Sequence, residues 1–98
     1  MTIRVARLPY VSSEPFYFDM ERRGIEMVPM VPSMISSAAD AGEIDAGPVP
    51  VADIARLADR FLTLSGFCLA SVTQVGSAFL HSTKPIEELA GSRIGVTS

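Results

Sequence analysis

The apolar positions along the chain change period several times, and each change marks an element. In residues 3–8, Ile3, Val5 and Leu8 are apolar with Arg4 and Arg7 between them. That pattern predicts a short strand, ended by Pro9 and the Ser12-Ser13 pair. Residues 14–23 place Phe16, Tyr17 and Met20 on one face and Asp19, Glu21 and Arg22 mostly off it, as an amphipathic helix does. Ser12 and Ser13 are N-cap types, Pro15 suits a first turn, and Gly24 is the expected C-terminal glycine. Residues 25–31 read as a second strand, confined to an edge because Pro29 has no backbone donor. A second helix starts at Pro32 and Ser33, with Ser33 as N-cap, buries Met34, Ile35, Ala38 and Ala39, and stops at Gly42. Residues 44–49 form a short third strand of small side chains, with Pro48 and Pro50 at its exit. In residues 51–60 a third helix carries Val51, Ile54, Ala55 and Ala58 along its inner stripe and Asp53, Arg56, Asp59 and Arg60 along its outer one. Residues 61–72 predict one long bent strand or two short ones, with Gly66 at the bend. Residues 76–82 predict another strand, 85–89 a helical turn ended by Gly91, and 92–97 a last strand.

Strands and helices alternating over short loops predict an α/β fold with a largely parallel sheet and right-handed crossovers. Residues 3–8 take the central position and residues 25–31 the edge. The methionines Met20, Met27, Met30 and Met34 fill the space between helices and sheet. The strand at 92–97 has no helix after it to cover it. A last strand of this kind looks like the start of a second lobe.

Composition narrows the function classes. Eight basic against eleven acidic side chains leave a formal net charge of -3 over 98 residues. A nucleic-acid module needs a basic surface, so nucleic acid is not an expected partner. Hydrophobic residues make up 48% and charged residues 19%, with mean hydropathy +0.33, which excludes intrinsic disorder. That apolar content is high for so short a chain and suggests part of a larger core. No apolar run reaches the length of a membrane span, so no membrane association is expected. The opening residues lack the apolar stretch of a secretory signal, and a cytoplasmic location is expected. The one cysteine, Cys68, has no internal partner for a disulfide.

Open α/β sheets bind ligands beyond the carboxyl ends of their strands. Here those ends are residues 9–13, 32–33, 49–51, 75–77 and 97–98. They supply the hydroxyls of Tyr10, Ser12, Ser13, Ser33, Ser77, Thr97 and Ser98, with Val49, Pro50 and Gly76 among them. Helix N-termini at Ser12-Ser13 and Ser33 add backbone donors and a dipole that favours an anion. A single serine of this kind is ordinarily just a cap. The whole set converging on one edge reads as a pocket for a small carboxylate. The other polar residues have plainer readings. His81, in an apolar strand with no visible partner, reads as a structural or hinge histidine. Cys68 reads as a small buried hydrophobe, with no basic neighbour to activate it. Glu87 and Glu88 are a solvated pair. No phosphate-binding glycine motif and no metal-spaced cluster is present, so neither a cofactor nor a metal is expected.

One run of residues resembles a known family. Arg7-Leu8-Pro9-Tyr10-Val11-Ser12-Ser13-Glu14-Pro15-Phe16 is similar to the opening of the menaquinone-biosynthesis proteins of the futalosine pathway, roughly Arg-Ile-Pro-Tyr-Leu-Asn-x-x-Pro-Phe. Val31-Pro32-Ser33, Gly42-Glu43-Ile44-Asp45-Ala46, Val75-Gly76-Ser77 and the run from Lys84 to Gly91 followed by Arg93-Ile94 also fit. The similarity extends over the whole chain, which corresponds to about the first third of a family member. It implies a type II periplasmic-binding-protein-like fold with the ligand in a cleft between two lobes, residues 1–82 forming the first lobe and residues 83–98 a hinge crossing and the first strand of the second lobe. It also implies a chorismate-like ligand and, in the chorismate dehydratases, carbon–oxygen lyase activity. The family's asparagine is Ser12 here, which makes Ser12 the candidate catalytic residue. A serine hydroxyl lacks the paired donor and acceptor of an amide. Pro50 and Val51 likewise stand where the family has polar residues. Two other classes stay open. One is a solute-binding protein of a nitrate/sulfonate-type transporter. The other is a non-catalytic fragment that assembles with a second copy or with a missing second lobe.

Overall fold

Side chains alternate across a strand, so Arg4–Arg7 can bury Ala6 on one face and Val5 on the other. The computed structural model of the chain, which describes residues 1–64, 66–76 and 78–96, shows both buried. This strand, β1 (Arg4–Arg7), pairs in parallel with β2 (Glu26–Pro29), Arg4 opposite Glu26 and Arg7 opposite Pro29. On the other side of β1, Val5 forms a single parallel bridge with Ala46, and the Ala6 amide donates to the Ala46 carbonyl at 2.9 Å. β1 is therefore flanked on both sides and β2 lies outside it, as the proline in β2 predicts. The expected third strand at 44–49 is reduced to that one bridge. Pro48 and Pro50 lack the donors a longer ladder would need. Gly47 lies so close to β1 that a Cβ there would meet the Ala6 Cβ at 2.8 Å.

The expected helix at 14–23 is instead two 3₁₀ segments, Val11–Tyr17 and Glu21–Arg23. Pro15 withholds an amide from any α-helical ladder. Asp19 then takes a left-handed conformation, with φ 62°, and breaks the run. Gly24, at φ 79°, closes the second segment as expected. Ser12 and Ser13 lie inside the first segment, whose N-cap is Tyr10, so neither serine is the cap.

Helix α1 (Pro32–Asp40) begins one residue before the expected N-cap. Val31 is the cap, and Pro32 occupies the first turn, where its fixed φ suits the helix. α1 buries Ile35, Ala38 and Ala39 as expected, while Met34 is exposed and Ser36 is buried in its place. Helix α2 (Val51–Leu57) turns the opposite way from its apolar stripe. Val51, Ile54, Ala55 and Ala58 are exposed, Leu57 is buried and Asp53 is half-buried. Two polar ties between the helices account for this. The Ser36 hydroxyl donates to Asp53 Oδ2 at 2.5 Å. Asp40 at the end of α1 receives the guanidinium groups of Arg56 and Arg60.

The core on this face of the sheet joins Ala6, Leu8, Ile35, Ala38, Ala39, Ile44 and Leu57, with Val28, Met30, Val49 and Phe61 against it. Ile35 is fully buried. Burial of one such side chain contributes about 1.5–3 kcal/mol.

The chain divides into two units, residues 1–67 and 68–97. The second holds one 3₁₀ turn, Ile86–Glu88, where a helical turn is expected. Its described residues form no strand, so the strands expected at 76–82 and 92–97 are absent over their described positions, as is the one expected at 61–72. Apart from half-buried Leu89, every described residue of this unit is exposed. Cys68 is accordingly exposed rather than buried, since no sheet forms around it.

Candidate functional site

Because β1, β2 and the Ala46 bridge all run parallel, the segments that follow them leave from one edge of the sheet. Tyr10 and Ser12 lie on the segment after β1, and both are exposed. Ser13, next in the chain, is fully buried, and its hydroxyl has no hydrogen-bond partner. After β2, Ser33 is exposed in the first turn of α1. After the bridge come half-buried Val49, which packs on the core, and exposed Pro50, which caps α2. Six of the expected site residues thus share one edge. Gly76 belongs to the second unit, where it lines a shallow depression of about 280 Å³ with Leu69, Ala70, Ser71 and Val75. Ser77, Thr97 and Ser98 lie outside the described residues.

The edge also holds a polar cluster that periodicity does not reveal. The Arg7 guanidinium, at the end of β1, binds both oxygens of Glu14 at 3.0 and 3.1 Å and Glu21 at 3.4 Å. It also lies over the Tyr17 ring, 5.9 Å from its centre. The hydrogen bond that Arg7 donates to Glu14 holds the Arg7 pKa above its ordinary value. Tyr17 is buried, and its hydroxyl accepts the Leu8 amide at 3.0 Å. The amphipathic pattern places Tyr17 inward but says nothing of what its hydroxyl meets. The signal for the ion pairs is the one basic residue at the strand exit with acids seven and fourteen positions later.

Arg7, Glu14, Tyr17, Phe18, Met20 and Met27 are among the residues around an open groove of about 700 Å³. None of the hydroxyl candidates lines it. With Arg7 neutralised by two glutamates, an anion at the edge would be met by hydroxyls and backbone amides rather than by this cation. Among the described residues, no group of three His, Cys, Asp or Glu side chains could hold a metal ion, and no helix is long and apolar enough to cross a membrane. His81 is exposed, its ring 5.9 Å from that of Phe79.

Residues 3–98 match the sequence profile of the family described as menaquinone biosynthesis. No solved structure matches the chain.

Proposed function

Since the chain belongs to the menaquinone biosynthesis family, we propose that it serves that pathway by binding a small carboxylate of the chorismate type at the carboxyl edge of its sheet. The observation that carries this reading is the common exit of three parallel segments, which places Tyr10, Ser12, Ser33 and Pro50 on one accessible edge. In this reading residues 1–82 are the first lobe of a type II periplasmic-binding-protein-like fold. A second lobe, begun by residues 83–98 or supplied by a second copy, completes the cleft in the cytoplasm. In this reading Ser13, Val49, Gly76, Ser77, Thr97 and Ser98 also contact the ligand. Ser13 must turn outward to do so.

Dehydration of chorismate removes a proton from carbon and a hydroxyl group from another carbon, so it needs a base and an acid. Ser12 is a poor base without an activating neighbour. Its nearest carboxylate in sequence, Glu14, is engaged by Arg7. The role that fits Ser12 is orientation: its hydroxyl donates to the ligand or passes a proton through a water. That same chemistry favours a second reading, in which the protein binds the carboxylate and leaves it unchanged.

Calorimetric titration with chorismate, alongside a product assay, separates these. Saturable binding is expected, and Ser12→Ala should weaken it about threefold to tenfold, the size of one neutral hydrogen bond. No turnover is expected from this chain alone, and product above the enzyme-free control would assign it lyase activity. Absence of binding would overturn the carboxylate reading.

A further inference from the structure

We propose that Tyr17 and Arg7 are positioning residues that clamp the Ser12-bearing turn to β1 and so set the geometry of the ligand edge. The inference rests on the carboxylate reading above and names what holds that site in place.

The turn between Leu8 and Tyr17 has 3₁₀ backbone bonds of its own, and its Ser13 amide donates to the Tyr10 carbonyl at 3.0 Å, but its side chains add little internal hold. Pro9 contributes no donor, the Tyr10 cap makes no side-chain bond, and the buried Ser13 hydroxyl has no partner. A buried hydroxyl without a partner opposes the conformation it sits in. Two further contacts fix where it lies, one from Arg7 at the end of β1 and one from Leu8 just after it. At one end, the Leu8 amide donates to the Tyr17 hydroxyl in a buried hydrogen bond of 3.0 Å. This closes a loop of nine residue steps with Ser12 near its middle. At the other, Arg7 grips both oxygens of Glu14, two residues beyond Ser12, and stacks over the Tyr17 ring. Arg7 is itself anchored, because its carbonyl accepts the Met30 amide at 3.0 Å. The strand thus dictates where Ser12 stands through two independent ties, one buried and one at the surface. Both bonds leave one nitrogen, Nη2, while Nη1 reaches Glu21, so the guanidinium is held by charge-assisted bonds on two sides.

The test is NMR titration of the protein with chorismate, comparing wild type, Tyr17→Phe, Glu14→Gln and Ile35→Val. Tyr17→Phe keeps the ring and removes the acceptor for Leu8. Glu14→Gln removes the charge that fixes Arg7 at an exposed position, so its fold is retained even where Tyr17→Phe proves too damaging. Ile35→Val loosens the core but removes no atom of either tie, and serves as the control for stability alone. The expected result is affinity about threefold to tenfold weaker in Tyr17→Phe and Glu14→Gln, each with an altered Ser12 amide shift at saturation. Ile35→Val should keep the wild-type affinity and the wild-type Ser12 shift. Wild-type affinity and Ser12 shift in both clamp variants would overturn the inference while leaving the carboxylate reading intact. Equal weakening in Ile35→Val would overturn it too, by reducing the effect to stability. Failure of the wild type to bind would instead overturn the carboxylate reading and the clamp with it.

Discussion

Gly47 shows how one residue limits the sheet. A Cβ at this position would lie 2.8 Å from the Ala6 Cβ, and Ala6 is fully buried in the central strand. Neither side can move without disturbing the Ala6–Ala46 hydrogen bond. Gly47→Ala should therefore cost about 1–3 kcal/mol, as overpacking in a core does, and a lowered urea midpoint is the measurement that shows it. This contact is invisible in sequence, where Gly47 is only a small residue in a proline-flanked run. Other residues were legible. Ile35 falls on the inner face of a 3.6-residue pattern and is fully buried. Val5, two positions from apolar Ile3 across charged Arg4, is buried as well. Ser13 was expected at the ligand edge by its place after a strand, but it is buried, which depends on how the 3₁₀ segment lies on β1.

Elements are held together here by charge as much as by apolar faces. Asp45 receives the Arg4 backbone amide at 2.8 Å and its guanidinium at 3.2 Å, tying the bridge segment to β1. Asp40 ties α1 to α2 through Arg56 and Arg60. The side-chain hydrogen bond from Arg4 holds the Asp45 pKa below the ordinary carboxylate range, and the one from Arg56 does the same for Asp40. A carboxylate with a lowered folded-state pKa stabilises the fold above its unfolded-state pKa. That contribution is lost as the pH falls through the folded-state value. Stability should accordingly be steady at neutral pH and decline below about pH 4. Asp45→Asn should flatten the decline, and its effect should shrink in high salt because the pair is solvent-exposed. Thermal unfolding across pH 2–7 checks this, and an unchanged acid limb would contradict it. The same ties explain why α2 defied its pattern. Its apolar stripe predicted Val51, Ile54, Ala55 and Ala58 inward, yet Ser36–Asp53 and Asp40–Arg56 turn the helix so that Asp53 and Leu57 face α1. Alternation and periodicity located β1, β2 and α1. They could not foresee that Pro15 and Asp19 would divide one helix into two 3₁₀ segments.

For the whole molecule, the α/β class and the family were both legible. Residues 7–16 carried the resemblance, and the family profile spans residues 3–98. The second unit was not legible in the same way. Its apolar alternation predicted strands, but its described residues, half-buried Leu89 apart, are exposed and form no strand, because a strand needs a neighbour and periodicity cannot supply one. The candidate edge followed from topology: parallel segments send their exits to one side of the sheet, which gathers Tyr10, Ser12, Ser13 and Ser33 there. What topology could not give was the Arg7–Glu14–Tyr17 cluster, which depends on side-chain reach. The central claim is that this edge binds a small carboxylate. The most direct measurement is a ¹⁵N–¹H NMR titration of the protein with chorismate, read residue by residue. The account predicts that the amides of Tyr10, Ser12, Ser13 and Ser33 move first and saturate together. Shifts confined to residues 51–60, with the Tyr10–Ser13 amides unmoved, would contradict it.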